Sequence, residues 1–425
     1  MSDPFLVVRW DRERVGVLSR MDDGSLRFRY DQAASRAISR SLPLPRDESS
    51  ATEHPATFFE NLLPEGAERE RLARALGVST GNDAALLLAV GGDCAGALTL
   101  LKPGAAPVPQ SSTKDLVPLT KKLLVSMRTS GVLPTLVSEG LRLSLAGAQE
   151  KVAVVVENGR LFLPVGSRPS THILKFPSRN FPGLVENELF MMKLAESVGL
   201  RVPVTRTWPL PGGDVGLLVE RFDRKDGQRL HQEDFCQASG VSATMKYEEE
   251  GGPSFEDIVA ITDRESVKSR QDVERLFYWQ AFNVLTGNND AHAKNVALLR
   301  GDHVELAPSY DLVCTRAWPE LSKTLALKVG GRKLAGDVDG RAWATEARRC
   351  GVAPSFVKDV LLSLRERTVA MAKDVSSRLM KEGYEKTPIR AALEQVDDHC
   401  RWAERHLKRD REWVAAEQKR ARRPR

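Results

Sequence analysis

Near residue 230 this chain changes from short β-type runs to long helical ones, an order that few fold classes accommodate. Before the change, Phe5–Trp10, Val15–Leu18 and Leu26–Tyr30 have strand length and composition, with Asp22-Asp-Gly24 as a turn between the last two. Phe58-Phe-Glu-Asn-Leu-Leu-Pro64, Glu70–Leu76 and Asp83–Val90 read as helical, and the small-residue run Gly91-Gly-Asp-Cys-Ala-Gly96 leads into a strand at Ala97–Leu101. Pro103–Ser112 is a Pro/Ala/Ser linker. Beyond it, Val152–Val156 and Leu161–Val165 flank Asn158-Gly159, a pair that favours the positive φ angles of a tight hairpin. His172–Phe176 and Val215–Phe222 are further strands, with a helix at Val185–Val198 between them. After the change, Val273, Leu276, Phe277, Ala281, Val284 and Leu285 recur at helical steps, and Ser355–Glu382 and Pro388–Ala416 continue that pattern.

The pattern predicts an α+β chain of 425 residues in four stretches: a mixed β/α block over 1–102, a linker over 103–112, a β block over 113–225 and a mainly helical block over 226–425. No apolar run approaches the roughly 20 residues that span a bilayer. The start, Met1-Ser-Asp-Pro-Phe-Leu-Val-Val-Arg9, lacks the basic region of a signal peptide, so a cytoplasmic chain with no membrane role is expected. The five cysteines are scattered and odd in number, which argues against a disulfide framework or a zinc site. The formal net charge is +6, yet residues 401–425 alone hold ten Lys/Arg against four Asp/Glu. The basic character therefore belongs to the C-terminus, as a solvated end or as a contact for polyanions.

Asp290 and Asn295, in Leu285-Thr-Gly-Asn-Asn-Asp290-Ala-His-Ala-Lys-Asn295, stand at the D-x-x-x-x-N separation of kinase catalytic loops. Asp311 follows in Pro308-Ser-Tyr310-Asp311. One Asp to orient a hydroxyl, with an Asn and a second Asp to hold Mg²⁺, is the minimal acidic set for phosphoryl transfer from ATP. Gly287 to Asp290 would serve equally as a helix C-cap and turn, but His292 and Lys294 add to the polar density of the loop. Ser144-Leu-Ala146-Gly147-Ala148-Gln149-Glu150-Lys151 opens the hairpin with small residues that let backbone N–H groups approach an anion; an ordinary turn is the alternative. Lys175 lies on a strand, where it can neutralise phosphate charge and pair with a helix acid; Glu186 and Glu188 are equal candidates by spacing. The strand that ends at Glu220-Arg221-Phe222 sits where a hinge would present backbone groups to adenine, with Phe222 as an apolar wall. His231 and His292 lack partners at metal-ligand spacing.

Taken in order, Phe58–Pro64, Ser144–Lys151, Thr171–Lys175, Val219–Arg224, Arg229-Leu-His-Gln-Glu-Asp234, Gly287–Asn295 and Tyr310-Asp311 resemble the HipA family, the serine/threonine kinase toxins of bacterial toxin–antitoxin modules. The resemblance implies a two-lobed fold like that of protein kinases and phosphatidylinositol kinases, with an N-terminal β/α subdomain and a mainly helical C-lobe. It makes Asp290 the catalytic base and Asn295 and Asp311 the Mg²⁺ ligands. Ala146, Gly147, Ala148, Gln149, Glu150 and Lys151 would form the loop over ATP, Lys175 would bind its phosphates, and Glu188 would be the structural ion-pair partner. Glu220, Arg221 and Phe222 would meet the adenine, with His292, Lys294 and Tyr310 lining the same pocket. Ser144 matches the family's autophosphorylated serine. The family also implies a helix-turn-helix antitoxin of the HipB type, operator DNA contacted mainly through that antitoxin, and an aminoacyl-tRNA synthetase such as glutamyl-tRNA synthetase as substrate. The rival expectations are a catalytically silent co-repressor with the same fold, and a small-molecule or lipid kinase.

Overall fold

A computed structural model describes residues 4–11, 13–45, 52–105, 116–138, 146–147, 149–165, 168–407 and 413. Five strands, β1 (Pro4–Trp10), β2 (Glu13–Arg20), β3 (Leu26–Tyr30), β4 (Glu53–Pro55) and β5 (Leu98–Leu101), form an antiparallel sheet in the order β4-β3-β2-β1-β5. Alternation places Leu6, Val8 and Trp10 of β1, and Leu26, Phe28 and Tyr30 of β3, on the buried face. Helices Gly66–Leu76 and Asp83–Val90 add Leu72, Leu86 and Leu87 to the same core.

A second sheet contains β6 (Leu116–Pro118), β7 (Lys151–Glu157), β8 (Arg160–Pro164), β9 (His172–Lys175), β10 (Thr205–Pro209) and β11 (Val215–Glu220), in the order β10-β11-β9-β7-β8-β6. Asn158 and Gly159 join β7 to β8 with φ values of 49° and 69°, as a two-residue hairpin with the right-handed twist requires. The linker does not separate two cores. Phe28, Phe59 and Leu100 from before it share one apolar cluster with Val152, Val154, Leu174 and Leu218 from after it. By contacts the chain divides into two units, the first comprising Met1–Pro177, Arg206–Thr244 and Leu299–Asp302 and the second Ser178–Thr205, Met245–Leu298 and His303–Arg425. Residues 106–112 of the expected linker lie outside the described residues.

The second unit is mainly helical: Leu184–Ser197, Phe255–Glu265, Ser269–Thr286, Gly340–Arg349, Pro354–Lys381 and Lys386–Leu407. The first of these was expected within the β block but joins the helical unit, where the Asn187 side chain exchanges hydrogen bonds with the Cys314 backbone. Ser254 and Asp257 form a reciprocal cap on Phe255–Glu265, and Pro354 occupies the first turn of Pro354–Lys381, where its missing N–H costs nothing. Among the described residues no helix is long and apolar enough to cross a membrane. Of the basic tail, residues 408–412 and 414–425 lie outside the described residues.

Candidate active site

Helix Ser269–Thr286 buries Leu276, Phe277, Ala281, Phe282 and Leu285 and ends at Gly287, whose φ of 71° supplies the left-handed cap. The chain then turns through residues fixed by their own side chains. Asn288 donates to Asn283 Oδ1 at 2.9 Å and accepts from the Asp290 N–H at 3.2 Å. The Asn289 N–H donates to Thr315 Oγ1 at 2.8 Å, and its side-chain amide donates to the Ser322 carbonyl at 3.1 Å. Asn295 Nδ2 donates to the Asp290 carbonyl at 3.0 Å, closing the loop on itself. Asp290 is exposed, while His292 and Lys294 are buried. Burial, reinforced by Lys246 and Lys294, holds the His292 imidazole well below its ordinary pKa despite the opposing charge of Asp311, so the ring is neutral. Tyr310 donates its hydroxyl to the Lys294 carbonyl at 2.8 Å, and Asp311 beside it takes a φ of 53°. Left-handed backbone in a residue other than glycine is strained, and such strain gathers at functional positions.

In the first unit, Lys151 of β7 lies directly opposite Lys175 of β9, the latter only 5% exposed. Residues directly opposite on antiparallel strands share a face, so the two lysines bring positive charge to one side of the sheet. Gly147 takes a φ of 110°, and a Cβ there would come within 2.7 Å of Lys151 Nζ. Pro64 bridges to Gly147, and the Glu65 N–H donates to the Gly147 carbonyl at 3.2 Å. Gln149 donates to the Phe176 carbonyl at 3.0 Å, and Glu150 accepts from Arg71 at 2.8 Å. The start of this loop is thus pinned from both sides.

Beyond β11 the chain enters a buried cluster of charge. Asp93, from the small-residue run, accepts from Arg224 at 3.0 Å and from Arg229 at 2.9 and 3.2 Å, with Arg221 at 3.5 Å. Arg221 also donates to both oxygens of Asp223, to Ser170 and to the Cys94 carbonyl. The Gly96 N–H donates to Asp223 at 2.8 Å. Burial alone would raise both acids, but the arginines reverse it: Arg224, Arg229 and Arg221 hold Asp93 far below the usual carboxylate range, and Arg221 with Arg224 holds Asp223 at about 2.

Residues 6–101 match the HipA N-terminal domain, and residues 143–375 match the HipA-like C-terminal domain. "Putative kinase Y4mE" of Sinorhizobium fredii is 41% identical over 383 residues, 87% of this chain and 91% of its own length. The chain belongs to the HipA family. "Serine/threonine-protein kinase toxin HipA" of Shewanella oneidensis is 32% identical over 310 residues, 68% of this chain and 70% of its own length. A chain in the solved complex of HipA, HipB and operator DNA from Shewanella oneidensis MR-1 superposes with a TM-score of 0.81 at 25% identity, covering 96% of this chain and 99% of that one. The HipA relationship makes this chain a serine/threonine protein kinase with an α+β, kinase-like fold.

Within this HipA-family kinase, the Arg221 guanidinium is 1% exposed and committed to Asp223, Asp93 and Ser170, so its side chain is a structural group. Its flanking residues differ from it: Glu220 is exposed and Phe222 half-buried. On helix Leu184–Ser197, Glu188 is 1% exposed and Glu186 9%. Ser144 and Ala148 lie outside the described residues.

Asn295 Oδ1 and the Asp311 carboxylate are oxygen donors of the kind that could hold magnesium; Asn295 commits its nitrogen to the Asp290 carbonyl and keeps that oxygen for another partner. Magnesium is commonly bound by one or two such groups, with water and phosphate completing its shell. Asn289 Oδ1 and His292 Nδ1 are buried without a hydrogen-bond partner in the described structure, the kind of orphan that a bound ligand satisfies. Two features of the site carry no signal in the sequence. Asp93 meets its arginines about 130 residues later, as the separations of 128 to 136 residues show. Tyr247 donates its hydroxyl to Asp290 Oδ1 at 2.7 Å across a separation of 43 residues.

Proposed function

We propose that this chain is an ATP- and Mg²⁺-dependent serine/threonine kinase toxin that phosphorylates a component of translation, an aminoacyl-tRNA synthetase being the expected class. The observation that carries the reading is the closed loop in which Asn295 is tied to the Asp290 carbonyl while the Asp290 side chain stays exposed to an incoming hydroxyl. Asp290 orients the acceptor hydroxyl and takes its proton as the new O–P bond forms and the bond to the departing ADP oxygen breaks. Asn295 and Asp311 hold Mg²⁺, which neutralises phosphate charge. Lys175, opposite Lys151, holds the nucleotide phosphates together with the residues from Ala146 to Lys151. Glu220 and Phe222 receive the adenine. Ser144 is the autophosphorylation site, and its phosphate would repel the loop from bound ATP.

The partner in this reading is a HipB-like helix-turn-helix antitoxin, through which the chain reaches operator DNA. The related Shewanella oneidensis complex of HipA, HipB and operator DNA supports it. A chain acting only as a co-repressor would have no use for Asp290, Asn295 and Asp311 together.

Incubation with labelled ATP and Mg²⁺ tests the reading. The parent chain incorporates phosphate, Asp290→Ala loses at least about a hundredfold in rate, and both melt at the same temperature. Transfer by a folded Asp290→Ala variant at the parent rate removes Asp290 from the role of base.

A further inference from the structure

Tyr247 begins a short acidic turn, Tyr247-Glu248-Glu249-Glu250-Gly251-Gly252, that none of the roles above uses. Its phenol donates to Asp290 Oδ1 at 2.7 Å, the short distance typical of a hydroxyl bound to a charged carboxylate. The ring is fixed from several directions. It stands edge-on to His292 with centroids 5.4 Å apart, and Lys246 Nζ lies 5.4 Å over its face. The Tyr247 carbonyl accepts from the N–H groups of Glu250 and Gly252, both at 3.0 Å, and the Lys246 carbonyl accepts from Ala293 in the catalytic loop at 3.4 Å.

The turn is also anchored to the hairpin Thr324–Val329/Arg332–Leu334. Glu248 accepts from the Lys328 N–H at 2.7 Å, and Glu249 pairs with Lys333 at 3.0 Å. The same hairpin grips the catalytic loop, because the Ala326 N–H donates to the Asn289 carbonyl at 2.9 Å. The segments carrying Tyr247 and Asp290 are therefore bonded to the same hairpin.

We infer that Tyr247 is a positioning residue for phosphoryl transfer: its hydroxyl fixes the plane of the Asp290 carboxylate, so that the base meets the acceptor hydroxyl in a single orientation. A carboxylate on an exposed turn rotates about its own side-chain bond, and a base that rotates is correctly aimed only part of the time. A displaceable plug on the base would be loosely held, whereas this ring is packed and its segment is bonded to the hairpin on which the loop also rests. The inference rests on the reading of Asp290 as the base.

The test uses the full chain with Mg²⁺ and ATP, water serving as the acceptor in ADP release and the chain itself in phosphate incorporation. Tyr247→Phe deletes one oxygen and keeps the ring. Its kcat should fall by about tenfold or more in both assays, while KM for ATP stays within about twofold and the melting temperature is that of the parent. A purely structural role would instead lower the melting temperature and disturb both constants. Tyr247→Phe turning over at the parent rate overturns the inference, and a faster rate does so too by identifying the phenol as a plug. Asp290→Ala, run alongside, separates the two levels. If it is inactive and Tyr247→Phe is fully active, only the positioning role falls; if Asp290→Ala matches the parent, or the parent releases no ADP, the base reading falls and this inference with it.

Discussion

His231 shows how one residue can tie stability to pH. It is wholly buried, with Nε2 2.7 Å from the Ile38 carbonyl and Nδ1 accepting from the Ala97 N–H at 3.4 Å. Only a neutral ring can donate at one nitrogen and accept at the other, and burial lowers its pKa from 6.5 to about 4. The unfolded chain therefore binds this proton first. The stability it contributes is complete above pH 6.5 and is lost as pH falls towards 4, on the order of 3 kcal/mol in all. His172, also lowered to about 4, adds in the same sense, while Glu233, raised by burial, opposes it at the acid end. Urea midpoints should fall from pH 7 to pH 5, and less steeply in His231→Gln. At this scale the sequence disclosed groups that are close along the chain. Asp290, Asn295 and their neighbours could be gathered from the sequence because a single loop carries them. The ion pairs of Arg221 were not legible, because Asp93 lies far back in the chain and only the fold brings it to the guanidinium. Tyr247 could not be found, since nothing in its local sequence refers to Asp290.

At the scale of elements, local chemistry was a better guide. The Asn158-Gly159 hairpin and the helix before the catalytic loop follow from residue types that select their own backbone angles. Phe58–Pro64 was read as one helix, but the helix stops at Glu60 and the chain turns towards the bridge from Pro64 to Gly147, a tertiary demand that local propensity does not encode. Gly287 is where an element's end and the loop's chemistry depend on the same angle. A Cβ there would stand 3.0 Å from Arg316 Cγ and 3.1 Å from the His399 ring, besides requiring a left-handed residue. Gly287→Ala should cost about 1–2 kcal/mol and shift Asp290 with the cap. Thermal unfolding together with phosphate transfer should show activity falling by more than the lost folded fraction explains.

Across the molecule, the first hundred residues, read from the sequence as a block of their own ahead of a linker, do not keep their apolar side chains to themselves. They share an apolar core with the second sheet, and Asp93 is the acid on which Arg224 and Arg229 close. Asp93→Ala leaves two buried arginines short of a counter-charge and should cost about 3–5 kcal/mol. Removing Arg229 as well, as Arg229→Leu, should recover part of that loss, as melting temperatures of the single and double variants would show. The spacing of this cluster also governs the order of events during synthesis. Asp93 and Arg224 lie 131 residues apart, so at about 5–20 residues per second the acid is made roughly 7–26 s before that partner. Until Arg224 and Arg229 are made, the Asp93 carboxylate has none of these ion-pair partners, so this buried cluster can be completed only long after the strands beside Asp93 have been synthesised.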